Sequence, residues 1–160
     1  MNRMLKKLLF AMAALSFGLI VLGADNQTET WKLNPAKSKP AKSRQLKAST
    51  LMIAAESDVT KVSIDDTGID DQKFSFKYTV PATGGPITNT EVPPGSPTGT
   101  TDVLKRIDDR TTEITSTLNG KVILKQHVVV SPDRKTMRVT ESGVDQNGKP
   151  FKSLYVYDRQ

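Results

Sequence analysis

The residues that could do chemistry in this chain are few, and their types narrow what the chemistry could be. There is one histidine, His127, and no cysteine among the 160 residues. A thiol nucleophile, a thiolate zinc site, an iron–sulfur cluster and a disulfide framework are therefore all excluded. Ser-His-Asp catalysis would need His127 beside a serine and a carboxylate brought from other elements, and the run from Val122 to Val130 carries no nucleophile elbow. The bland alternative is an outward or end-of-barrel strand residue. A zinc site with a single histidine and otherwise only carboxylates would be atypical. No metal site, no cofactor and no catalytic residue is expected, and the protein reads as a non-enzyme.

The acidic and basic groupings weigh the same way. Asp65, Asp66, Asp70 and Asp71 cluster within six residues, and Asp145-Gln146-Asn147-Gly148 has the opening of a calcium loop. The twelfth position of such a loop must supply a carboxylate, and here it is Val156. Turn propensity accounts for these Asp and Asn residues, with weak calcium binding by the first cluster as the alternative. The basic run Lys32, Lys37, Lys39, Lys42, Arg44 and Lys47 has no acidic residue between Glu29 and Glu56. It could hold phosphate groups, but it has no aromatics after Trp31 on which bases could stack. A solvated connector is the simpler reading, and no nucleic-acid partner is expected.

Elements must position these residues, and the first does not belong to the working protein. Residues 1–24 have a basic start (Arg3, Lys6, Lys7), an apolar run from Leu8 to Leu22 and a small-residue exit at Gly23-Ala24, the three-part build of a cleaved signal peptide. An uncleaved membrane anchor is the alternative, although a full span usually needs about 20 apolar residues. Removing the three basic residues leaves 20 Lys+Arg against 17 Asp+Glu, so the formal charge falls from +6 to +3. Residues 25–160 are then one exported domain, periplasmic or secreted, with no stable membrane span.

That domain reads as all-β. Runs rich in Val, Ile, Thr and aromatics recur between turn residues, predicting strands near 28–33, 46–55, 59–64, 73–80, 101–107, 111–118, 121–130, 136–141 and 151–158. Asn119-Gly120 is a two-residue hairpin signal, and Ser131-Pro132-Asp133-Arg134 fits a type I turn. Links this short make neighbouring strands antiparallel. The meander is expected to close into an up-and-down barrel of about 8–10 strands, because an open sheet would leave two exposed edges. Residues 81–99 hold five Pro and four Gly and read as a mobile flap over one end.

A weak internal repeat pairs Thr67-Gly68-Ile69-Asp70, leading into Phe74, Phe76 and Tyr78, with Ser142-Gly143-Val144-Asp145, leading into Phe151, Tyr155 and Tyr157. These six aromatics are the candidate ligand-binding residues of the barrel interior. They would line a cavity in an open barrel, or fill the interior of a dry one.

Glu29-Thr30-Trp31-Lys32-Leu33-Asn34 resembles the Gly-x-Trp opening strand of the lipocalin and fatty-acid-binding (calycin) barrels, with Glu29 where those families have Gly. It is similar also to small exported bacterial proteins of uncharacterised function that open on Gly-Thr-Trp-Lys-Leu-Asn and finish on Val-Tyr-Asp, as Val156-Tyr157-Asp158 does here. The resemblance implies that Trp31 closes one end of the barrel and that the interior takes a small hydrophobic or amphipathic molecule. The Arg-x-Tyr pair with which fatty-acid-binding proteins hold a carboxylate has only Tyr155, Tyr157 and Arg159, in another order, to answer it. The alternative is a cell-envelope interaction or structural protein with a filled barrel and no small ligand. No motif speaks to oligomeric state.

Overall fold

The computed structural model describes residues 28–94, 96–145 and 147–160; the signal-peptide reading of 1–24 falls outside them. Eleven strands follow in chain order: β1 (Thr28–Leu33), β2 (Leu46–Ala55), β3 (Val59–Gly68), β4 (Lys73–Pro81), β5 (Gly85–Pro86), β6 (Thr88–Glu91), β7 (Thr100–Arg106), β8 (Thr111–Leu118), β9 (Lys121–Val130), β10 (Thr136–Val144) and β11 (Pro150–Arg159). One turn of 3-10 helix, Lys42–Arg44, lies between β1 and β2. Spatial order is β5-β7-β8-β9-β10-β11-β1-β2-β3-β4-β6, with every pairing antiparallel. The chain is thus an up-and-down meander whose last strand returns to pair with its first.

What brings the sheet nearly to closure is the segment expected to be a flap. Gly85–Pro86 pairs with β7, the Ile87 amide donates to the Asp102 carbonyl at 2.9 Å, and Thr88–Glu91 then pairs with β4. Residues 85–91 are therefore wall, not lid. The prolines that argued against a strand are accommodated because Pro86 lies at the sheet's margin, where its missing N–H breaks no ladder. These two short strands also lift the count above the expected range.

The turns behave as their residues dictate. Asn119 and Gly120 take φ of 50° and 78°, the left-handed pair of a type I′ hairpin. Arg134 closes the Ser131 turn with an amide-to-carbonyl bond of 2.9 Å. At Gly143 a side chain is barred by crowding, because a Cβ there would stand 2.3 Å from the Ile123 carbonyl oxygen.

Because a meander reverses at each link, the β1–β2, β3–β4, β6–β7, β8–β9 and β10–β11 connections gather at one end. The long β1–β2 connection makes this the strap end; the opposite end carries the start of β1 and the close of β11. Alternation along each strand sends one face inward. Midway along the barrel those inward residues are Leu51, Ile64, Val128, Met137, Val139 and Tyr157, which expose no surface to water. The middle of the barrel is apolar and buried.

Candidate functional site

Toward the strap end the inward face changes character on strand after strand. β2 passes from Ile53 and Leu51 to Ser49, β3 from Val62 and Ile64 to Asp66, and β7 from Leu104 to Asp102. On the other side β8 passes from Ile114 to Ser116, β9 from Val128 to Gln126, β10 from Met137 and Val139 to Glu141, and β11 from Tyr155 to Ser153. All seven polar residues are buried. A polar layer therefore lies on an apolar floor, and each member must find partners or bear the cost of desolvation.

The strap supplies the central partner. After Leu33 the chain keeps bonding along β11: the Asn34 amide donates to the Val156 carbonyl at 2.8 Å, and Lys39 and Leu154 exchange amide-to-carbonyl bonds of 2.7 and 3.0 Å. The Val156 amide donates to Ser38 Oγ at 2.9 Å, and the Ala41 amide to Ser153 Oγ at 3.0 Å. These bonds bring the helical turn over the barrel and drop Arg44 into it. Its Nη2 lies 3.1 Å from Glu141 Oε2, with only 8% of the Arg44 side chain and none of the Glu141 side chain exposed. Gln126, directly across the β9–β10 ladder from Glu141, donates from Nε2 to Glu141 Oε1 at 2.7 Å. The Tyr155 hydroxyl donates to the Arg44 carbonyl at 2.6 Å, and the guanidinium stands 5.2 Å over the Phe151 ring. Burial alone would lower the Arg44 pKa; the charge and hydrogen bond of Glu141 outweigh it and leave it raised. Glu141 is thereby a charge-balanced acceptor with both oxygens engaged.

Asp66 is differently placed. Tyr157 donates its hydroxyl to Ser49 Oγ at 3.3 Å, and Ser49, opposite Asp66 in the β2–β3 register, hydrogen-bonds in turn to the Asp66 carboxyl. Burial pushes the Asp66 pKa from 3.8 up to about 7, against the Ser49 bond and with the help of the nearby Glu141 charge. Asp66 Oδ1 and Gln126 Oε1 are both buried and have no hydrogen-bond partner. Burial likewise raises the hydroxyl pKa of Tyr155 and of Tyr157, so both stay protonated donors.

The six aromatics expected to form the interior all lie on the inward face of β4 or β11. Phe76, Tyr78, Tyr155 and Tyr157 are buried in the central core. Phe74 and Phe151 are half-buried at the strap end, Phe74 level with Asp66 across the β3–β4 ladder and Phe151 one inward position beyond Ser153. Trp31 is buried on β1; its Nε1 donates to Glu29 Oε2 at 3.3 Å, while Glu29 Oε1 pairs with Arg159 Nη2 at 2.7 Å. Glu29 thus joins the tryptophan to the last strand.

Other sequence expectations meet the structure unevenly. His127 points outward, half exposed, 3.5 Å from Glu113. Asp65 and Asp71 face solvent, the first accepting from Ser75 at 2.6 Å and the second paired with Lys47, but Asp65 and Asp66 both belong to β3 and not to a turn. Asp145 Oδ1 accepts from the amides of Asn147 (2.8 Å) and Lys149 (2.9 Å), which is turn geometry. Within the basic run Arg44 is buried, contrary to the solvated-connector reading. Arg44, Gln126 and Glu141 were not anticipated as site residues. Among the described residues no three His, Asp or Glu side chains gather as a metal site, and no helix is long and apolar enough to cross a membrane.

Comparison with protein-family models, with curated proteins and with solved structures finds no match.

Proposed function

We propose that the protein is an exported, non-enzymatic lipocalin-like (calycin) barrel that binds a small amphipathic molecule at the strap end of its interior. The observation that carries this is the buried polar layer bordered by half-buried Phe74 and Phe151, in which the acceptors Asp66 Oδ1 and Gln126 Oε1 have no hydrogen-bond partner. A buried oxygen without a partner costs about 1–3 kcal/mol, and a polar head group seated there would recover it. The apolar part would lie against Leu33, Leu46 and Phe74, which pack on the core from the strap side, gaining about 25 cal/mol per Å² of surface covered. The three-part pattern of residues 1–24 and the Trp31 and Tyr157 strands support export and the calycin assignment.

One observation favours a second reading, an envelope interaction or structural protein. Leu51, Ile64, Val128, Met137, Val139 and Tyr157, midway along the barrel, expose no surface, which fits a barrel that is filled. The two readings separate when mature, delipidated protein is incubated with an organic extract of its host's envelope, re-isolated by gel filtration, and its bound fraction analysed by mass spectrometry. Near-stoichiometric recovery of a small amphiphile supports binding; recovery of none supports the filled barrel.

A further inference from the structure

The outer surface of the strap end differs in kind from the rest of the barrel. Seven large hydrophobic side chains are exposed among the described residues, and four of them, Ile69, Val92, Val122 and Val144, stand where the chain reverses at this end. Ile69 follows β3, Val92 follows β6, Val122 is the second residue of β9 and Val144 the last of β10, so each of the four connections beside the strap carries one. They are 61%, 46%, 51% and 45% exposed, so none of them is held in the core. At the opposite end only Ile107 is comparable, while Met52 and Val103 lie along the wall. The two ends also differ in charge. The strap-end connections (34–45, 69–72, 92–99, 119–120 and 145–149) hold five basic and three acidic residues, and the opposite ones (56–58, 82–84, 107–110 and 131–135) hold three and five. Lys73, Lys121 and Lys152 add positive charge near the starts of β4, β9 and β11. Most acids nearby are already engaged or inside: Asp71 pairs with Lys47 and Glu91 with Lys77, Asp145 accepts from the amides of its own turn, and Asp66, Asp102 and Glu141 are buried. Asp65 and Asp70 remain exposed, against six exposed lysines (Lys39, Lys42, Lys73, Lys121, Lys149 and Lys152) that make no ion pair among the described residues.

We propose that the strap end is a peripheral docking surface for an anionic lipid bilayer, with the four aliphatic tips entering the head-group region and the lysines among them meeting lipid phosphates. A membrane fits this composition better than a protein does. Protein interfaces gather aromatic, Met and Arg side chains into one buried patch and are poor in Lys, but these tips are aliphatic, ride on separate connections and stand among lysines. A deformable lipid surface takes separate tips one by one, each leaving water as it enters, and every lysine close to an anionic leaflet adds attraction. The docking uses the outside of the barrel and does not require a ligand within it.

The test is co-sedimentation of the mature protein with vesicles of phosphatidylcholine alone or with about 30% phosphatidylglycerol, at about 0.1 M and about 0.5 M salt. Partitioning onto the anionic vesicles is expected to exceed that onto the neutral ones by about tenfold or more, and to drop severalfold at the higher salt. Lys39→Glu with Lys42→Glu, and separately Ile69→Ser with Val122→Ser, each checked for folding by circular dichroism, are expected to weaken binding by about tenfold. Ile107→Ser, at the opposite end, is expected to bind as wild type does. Equal binding to neutral vesicles, either double variant binding like wild type, or Ile107→Ser as damaging as the strap-end pair would overturn the proposal. No binding to the anionic vesicles would overturn it too, and would leave a protein as the occupant of this surface.

Discussion

Arg44 and Glu141 form the pair on which the strap end hangs, and its energetics can be worked from burial. The two side chains are 8% and 0% exposed, so solvent screening does little for either charge. Breaking such a pair from one side costs about 3–5 kcal/mol, because the remaining ion stays buried without compensation. Arg44→Met leaves the Glu141 carboxylate with only the Gln126 amide and also removes the guanidinium from the Phe151 face, worth roughly another 0.5–1 kcal/mol. Glu141→Gln keeps a partner for Gln126 but strands the guanidinium; because Arg44 sits on a connection it can swing toward water, which puts this variant nearer about 3 kcal/mol. The double variant buries no unpaired charge, so its cost should fall short of the sum of the singles by about 2 kcal/mol or more. Equilibrium urea unfolding followed by Trp31 fluorescence measures all four corners of this cycle, and a stability of about 5–15 kcal/mol leaves room for the singles to fold. Strict additivity, or two singles each costing under about 1 kcal/mol, would refute the idea that the pair is buried and coupled.

Three further outcomes follow from other parts of the barrel. Asp66 has a folded-state pKa of about 7 against 3.8, so the stability its protonated form confers is fully present below about pH 4 and is lost as pH rises through 7. The loss is on the order of 4 kcal/mol, and urea midpoints of wild type should fall across that window while those of Asp66→Asn stay flatter. Gly143→Ala, whose Cβ would meet the Ile123 carbonyl oxygen at 2.3 Å, should cost about 1–3 kcal/mol in the same assay. His127→Ala, on the half-exposed outer face, should change stability by less than about 0.5 kcal/mol and leave ligand affinity as it is; a loss of binding there would move the site to the outside of the barrel.

Much of the fold is written in local pattern. The Val62-Ile64 and Met137-Val139 alternations mark strands unaided, and Asn119-Gly120 fixes a hairpin because few other dipeptides tolerate positive φ twice. The site was harder to see because it begins where hydrophobicity stops. Ending β3 at Ile64 and β10 at Glu141 follows from reading a carboxylate as the close of a strand, yet Asp66 and Glu141 continue the same period-2 phase, as Gln126 does between Leu124 and Val128. Carrying that phase past the last apolar residue would have placed all three inside. Arg44 had no such signal, since it comes from outside the sheet and nothing in Lys42-Ser43-Arg44 distinguishes the inserted cation from its neighbours. The closing strands β5 and β6 were hidden for the opposite reason: two and four residues long and flanked by Pro and Gly, they owe their form to the seam they fill and not to propensity.

The most direct test of the account is a crystal structure of the mature protein purified from its own host without delipidation. The account expects density for a small amphipathic molecule beside Phe74 and Phe151, with its head group within hydrogen-bond distance of Asp66 Oδ1. A strap end in which Arg44, Phe74 and Asp66 close on one another with no ligand between them would contradict it.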